Sequence, residues 1–149
     1  MESSDLGFEK YLHEAHDYFN HLAAELDHPN EKKRVVIIWR AVMHVIRDRI
    51  HIAESLDLIS PLPMVLKGLY VEGWKYHESP LYDFETLAQM KTQVKALQNK
   101  YGEAEFDWSK PTEEIISITL KSLGRYVPET QLEHIKNMLP DDVKQVVHT

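Results

Sequence analysis

The spacing of the apolar residues constrains this chain more than any other feature. They recur every three to four positions in segment after segment, and the segments are separated by prolines or by a few of only five glycines. That period belongs to helices that bury one stripe. Phe8, Leu12, Ala15, Phe19, Leu22 and Leu26 form the first stripe. Asp27-His28-Pro29-Asn30 ends that helix, and Asn30 is placed to cap the next, expected over about 31–50. Val35, Ile38, Val42, Ile46 and Ile50 give its buried face, with Trp39 and Met43 beside them. A short helix follows at about 53–60. Proline suits the start of a helix and not its interior, so Pro63 opens a helix that Gly73 stops, and Pro111, Pro128 and Pro140 open three more. Phe84, Leu87, Met90, Val94, Leu97 and Tyr101 mark a fifth helix in between. The fold class is therefore all-α: a single helical bundle domain over residues 1–149, with about seven or eight helices.

Residues 35–70 can be laid on residues 112–147 at a constant offset of 77. Leu62-Pro63 then meets Leu139-Pro140, Ile38 meets Ile115, Ile46 meets Leu123, Ile50 meets Val127, Leu58 meets Ile135 and Leu66 meets Val143. Read as an internal repeat, this gives two related three-helix units, joined by the fifth helix and with the first packed across them. The alternative is that any two amphipathic segments share a hydrophobic period.

Composition excludes much. Cysteine is absent, which removes disulfides, thiolate catalysis, iron–sulfur clusters and cysteine-based zinc sites. No apolar run is long enough to span a membrane, and the acidic N-terminus lacks a signal peptide's apolar region, so a cytoplasmic protein is expected. The formal charge is −7, and residues 63–72 offer only Lys67 as a cation. Residues 140–148 likewise offer only Lys144 beside Asp141 and Asp142. Lys32-Lys33-Arg34 and Arg47/Arg49 are short and interleaved with acids, so no nucleic-acid partner is expected. Neither a G-x-S-x-G elbow nor a glycine-rich phosphate loop occurs.

Three histidine-bearing patterns remain. His13, Asp17 and His21 share one face of the first helix, extended by Glu25, and that spacing could chelate a divalent transition metal. The face lies opposite the apolar stripe and no H-E-x-x-H motif is present, so a solvated face is expected and no cofactor is assigned. His44, between Arg40 and Asp48, reads as part of a surface charge ladder. His51 falls just past that helix, where the dipole favours a cation. The nine histidines together read as a titratable surface. Tyr70, Glu72, Trp74, Tyr76, His77 and Tyr82 cluster in sequence. They form the best candidate ligand pocket, with Glu72 as its polar anchor, or else an ordered loop that clamps a helix through buried aromatics.

The stretch from Arg40 to Trp74 also carries a resemblance. Ile46-Arg47-Asp48-Arg49-Ile50, Leu62-Pro63 and Lys67-Gly68-Leu69-Tyr70-Val71-Glu72-Gly73-Trp74 are similar to strings of the bacterial family known as domain of unknown function 2267. A second Leu-Pro at Leu139-Pro140 fits its plan, while His51-Ile52 departs from it. The resemblance implies an all-helical bundle, no established activity and no catalytic residue to carry over. The expected function is a non-enzymatic helical module for protein–protein or self-association. The alternative is a small-molecule or metal-binding protein, or an enzyme, using the Tyr70–His77 loop or the His13/Asp17/His21 face.

Overall fold

Prolines set the places where this chain enters helix. Pro63, Pro111, Pro128 and Pro140 each stand immediately before a helix, with φ between −57° and −68°. The ring fixes φ near that value, and the missing N–H would have had no intrahelical partner there. The computed structural model describes residues 6–75, 84–103 and 106–148. Among them are eight α-helices and no strand. They are α1 (Glu9–Glu25), α2 (Lys32–Arg47), α3 (Ile52–Ile59), α4 (Met64–Val71), α5 (Leu87–Lys100), α6 (Thr112–Ser122), α7 (Glu129–Asn137) and α8 (Asp141–Val147). A single 3-10 turn, Leu123–Arg125, follows α6. No helix of the described residues is long and apolar enough to cross a membrane.

Two helices end in the same way. After α1 the chain turns through Asp27 at φ 63°, and the His28 N–H donates back to the Ala23 carbonyl at 2.9 Å. After α5 it turns through Gly102 at φ 106°, and the Glu103 N–H donates to the Gln98 carbonyl at 2.9 Å. A left-handed residue followed by this backward bond satisfies carbonyls the helix leaves free.

Helix α2 is the centre of the packing, touching α1, α4, α5 and α6. Trp39, Ile46, Leu62 and Leu66 are buried, as their spacing predicts. Helix α1 packs on α2, α4 and α6, α5 lies against both α2 and α6, and α3 pairs with α7. A buried relay of hydroxyls ties α1, α2 and α6 together. The Trp39 indole donates to the Tyr18 hydroxyl at 3.0 Å, Tyr18 donates to Ser122, and Ser122 donates to the Thr119 carbonyl at 2.6 Å. Burial pushes the Tyr18 phenol up to about 12, so it stays a donor.

Four local expectations need correction. The first stripe is buried only from Ala15 onward; Phe8 and Leu12 are 54% and 52% exposed. Asn30 does not cap α2: Glu31 holds that position, and no side chain caps the helix. His51 stands before α3 rather than at the end of α2, which stops at Arg47, and its ring makes no cap bond. Most consequentially, His44 is not part of a surface ladder: it is 1% exposed. The ladder reading assumed that only one face of α2 is covered. Four helices pack on α2, and all residues from Ala41 to Arg47 are buried.

Candidate functional site

The last carbonyls of any helix lack intrahelical partners. At the end of α4 they are taken by side chains of α2. His44 Nε2 donates to the Leu69 carbonyl at 2.7 Å, and Arg47 Nη1 donates to the carbonyls of Tyr70 and Glu72, each at 2.8 Å. A carbonyl can only accept, so the His44 proton sits on Nε2, and a neutral ring then accepts at Nδ1 from the Tyr101 hydroxyl at 2.7 Å. Burial brings His44 down to about 4, with Arg47 and Arg40 working in the same direction, so the ring is neutral at pH 7. Arg47 alone supplies the positive charge that a helix C-terminus favours. Its Nε also meets Asp48 at 3.1 Å.

Three of the six residues singled out for a ligand pocket meet around this cluster. Tyr70 is buried, and its hydroxyl shares a 2.7 Å hydrogen bond with Ser55 of α3. Burial raises its phenol well above the ordinary range. Trp74 stands edge-on to Tyr70 at 5.8 Å, with the Arg47 guanidinium 5.8 Å from its ring centre. Glu72 Oε1 accepts from Arg40 Nε and Nη2 at 2.8 and 2.7 Å, and the same guanidinium lies 4.1 Å over the Tyr101 ring. His77, with Tyr76 and Tyr82, lies outside the described residues. Tyr70, Glu72 and Trp74 therefore act as a clamp between α2, α3 and α4. Two of the three strings that carry the family resemblance, one holding Arg47 and one running from Lys67 to Trp74, are bonded to each other here. The sequence offered one unused signal for this, an arginine one turn after a histidine near the end of an apolar helix.

The His13/Asp17/His21 face does not close on an ion-sized space. Asp17 Oδ2 accepts from Arg125 Nη2 at 2.9 Å, which fastens α1 to the 3-10 turn. His21 Nε2 stands 3.7 Å from Asp17 Oδ1, and both histidines are exposed. Among the described residues, no group of three or more histidine, aspartate or glutamate side chains converges where a metal could be held.

Open space lies elsewhere. A cleft of about 480 Å³ opens between α5, α6 and the segment joining them, walled in part by Lys91, Lys95, Glu103, Trp108 and Lys110. A smaller one of about 300 Å³ lies between α1 and α6, beside Tyr18, His21 and Arg125. Neither was legible from residue spacing. The only hint of the first was the pair of aromatics, Phe106 and Trp108, in a short polar connection.

The chain matches the model of the family described as Uncharacterized conserved protein (DUF2267) over residues 15–146, and it belongs to that family. No curated protein matches it.

Proposed function

We propose that the protein is a non-enzymatic helical module that associates with a second copy of itself or with another protein. One observation carries this reading: the apolar stripe of α1 continues past the core. Ala15, Phe19, Leu22 and Leu26 are buried, yet Phe8 and Leu12 of the same stripe stand half exposed, with Leu6 beside them. Ile52 and Leu56, one turn apart on α3, are likewise exposed. Single exposed apolar residues are ordinary, but aligned pairs on helix faces are what helical partners pack against. The buried polar groups support binding over catalysis, since His44, Arg47, Ser55 and Tyr70 are each engaged in bonds between helices. The metal and ligand alternatives have less support, because Asp17 is paired with Arg125 and Glu72 with Arg40.

The rest of the reading is consistent with this. A bacterial, cytoplasmic setting rests on the family resemblance and on the lack of cysteine. No nucleic-acid role is assigned: Arg47 faces inward, and the Arg34 guanidinium lies 4.4 Å over Phe106. An internal duplication is supported by how closely the helix boundaries correspond. Ile52 of α3 falls on Glu129 of α7 and Met64 of α4 on Asp141 of α8 at the offset of 77. The test is light scattering after size exclusion across a concentration series, on the wild type and on Phe8→Glu/Leu12→Glu. Self-association lost in the double variant is the expected result. A wild type that stays monomeric throughout removes self-association. A photo-crosslinker at Leu12 that captures no protein then removes the association reading altogether.

A further inference from the structure

The turn after α1 fixes His28 on both sides. Its N–H donates to the Ala23 carbonyl at 2.9 Å, and its own carbonyl accepts from the Glu31 N–H at 3.0 Å. The half-buried ring is thereby aimed at residues 106–110, the strap of chain just before α6. There the Ser109 N–H donates to His28 Nε2 at 3.0 Å. The same ring stands edge-on to Phe106 and Trp108, with centroids 5.1 and 5.0 Å away. Through Phe106, Trp108 and Lys110 the strap forms one wall of the cleft between α5 and α6.

A backbone N–H only donates, so Nε2 must present its lone pair and the ring proton sits on Nδ1. A proton added at Nε2 turns that acceptor into a donor facing a donor, and the bond to Ser109 breaks. The nearest acids in the chain are already engaged, Asp27 with Lys110 at 3.2 Å and Glu31 with Arg34 at 3.6 Å. Glu103 accepts from Gln98 and from the Trp108 indole at 2.7 and 3.3 Å, and Asp107, the acid of the strap itself, is exposed. The Arg34 guanidinium lies 4.4 Å over Phe106, so an imidazolium here adds a third cation to Arg34 and Lys110. The Lys110–Asp27 pair also ties the strap to this turn, but it is partly exposed and such pairs contribute little.

We propose that residues 106–110 are a proton-sensitive strap, held against the turn after α1 by the neutral His28 ring and released from it when His28 is protonated. Histidine is the side chain whose charge ordinarily changes across the physiological range, so the release is a response to mild acid. The strap is separate from the apolar pairs on α1 and α3, and its behaviour stands or falls independently of association.

NMR on the full chain from about pH 8 to about pH 5 tests this, following the His28 ring protons, the Ser109 amide and the Trp108 indole N–H. His44 stays neutral over that range, being held down to about 4, and circular dichroism checks that the helices persist. As His28 takes up its proton, the Ser109 amide should move along the same titration curve. The Trp108 indole should then exchange with water roughly two- to ten-fold faster, after correction for pH, which is what one net hydrogen bond is worth. His28→Gln keeps an acceptor but does not titrate, so both signals should hold still across the range. His28→Ala, with no acceptor, should show the fast indole exchange at every pH. Glu103→Gln removes the other titratable group on Trp108 and should leave the wild-type response in place. A His28 ring that takes up no proton by about pH 5, or Ser109 and Trp108 signals that ignore its protonation, overturns the proposal. So does a response that survives in His28→Gln or disappears in Glu103→Gln, or an alanine variant that exchanges as slowly as the wild type at about pH 8.

Discussion

The two three-helix stretches, α2–α4 and α6–α8, run to the same plan but are held together by different means. Pro63 and Pro140, each before the last helix of its stretch, have φ/ψ of −57°/154° and −58°/155°. Ile38 and Ile115, Ile46 and Leu123, Leu58 and Ile135, and Leu66 and Val143 are corresponding pairs, and every one of these residues is buried. The polar residues part company. Where the first stretch has buried His44 and Arg47, the second has exposed Lys121 and Gly124. Where Ser55 meets the Tyr70 hydroxyl, the second has Leu132 and Val147. The first stretch fastens its last helix by buried hydrogen bonds and charge; in the second, α8 buries only Val143 and Val147, and its polar ties, Leu87 N–H to Asp142 Oδ2 at 2.8 Å and His148 Nδ1 to Glu133 Oε1 at 3.4 Å, lie at its ends. Helix α5 explains part of this, since Tyr101 at its C-terminal end caps the His44 ring. A bonded scaffold tolerates loss of a donor poorly, because the carbonyls left behind stay buried.

Arg47→Ala is accordingly the change expected to cost most. It leaves the buried Tyr70 carbonyl and the part-buried Glu72 carbonyl without their donor; a buried unsatisfied group costs about 1–3 kcal/mol and a part-buried one less, or roughly 2–4 kcal/mol together. Urea unfolding followed by circular dichroism measures it. Lys121→Ala, on the exposed side of the second stretch, should stay within about 0.5 kcal/mol of wild type. If both variants fall within that margin, the contrast between the stretches is one of sequence and not of energy.

The next effect is a pH dependence confined to the first stretch. In the unfolded chain His44 titrates near 6.5, and in the fold it is held down to about 4. Below pH 6.5 the unfolded chain takes up a proton that the folded one refuses. Stability therefore falls as pH drops from 6.5 toward 4, by roughly 3 kcal/mol from this ring alone. His44→Gln keeps a donor for the Leu69 carbonyl and an acceptor for Tyr101 but does not titrate. Its stability profile over that window should be flatter by about one proton, read from unfolding midpoints at successive pH values. A Gln variant with the wild-type slope would assign the acid limb to other groups.

How far the sequence revealed this contrast follows from what periodicity can and cannot report. The apolar pairs at the offset of 77, the prolines before four helices and the burial of Trp39 and Ile46 were all legible, because each rests on a local rule of spacing or backbone angle. His44 was misread because charged neighbours at i±4 indicate a water-facing side only if nothing else packs there, and α5 arrives from 40 or more residues away. Phe8 and Leu12 failed in the opposite sense: the stripe is continuous, but the helices beneath it are not. Asp17 lies on the face the spacing gave it, yet its partner Arg125 comes from the far end of the chain. Glu103 carried no sequence signal, since its burial depends on a turn at Gly102 and on Trp108 folding back over it.

The smallest effect tests the apolar stretch at the position where the contrast is widest. Gly124 occupies Arg47's place in the second stretch, within the 3-10 turn after α6. Its φ is not in the left-handed region, and a Cβ built there meets nothing within 4 Å. Alanine can therefore adopt the native backbone without strain, while the unfolded chain loses some of glycine's freedom. Gly124→Ala should stabilise the protein by about 0.4–1 kcal/mol, seen as a small rise in the urea midpoint with an unchanged slope. The same residue at position 47 is the costliest change expected in the first stretch, so one amino acid placed at two corresponding positions should move stability in opposite directions. A destabilising Gly124→Ala would mean that the turn after α6 is confined by something other than its backbone angles, and that the second stretch is less permissive than its apolar packing implies.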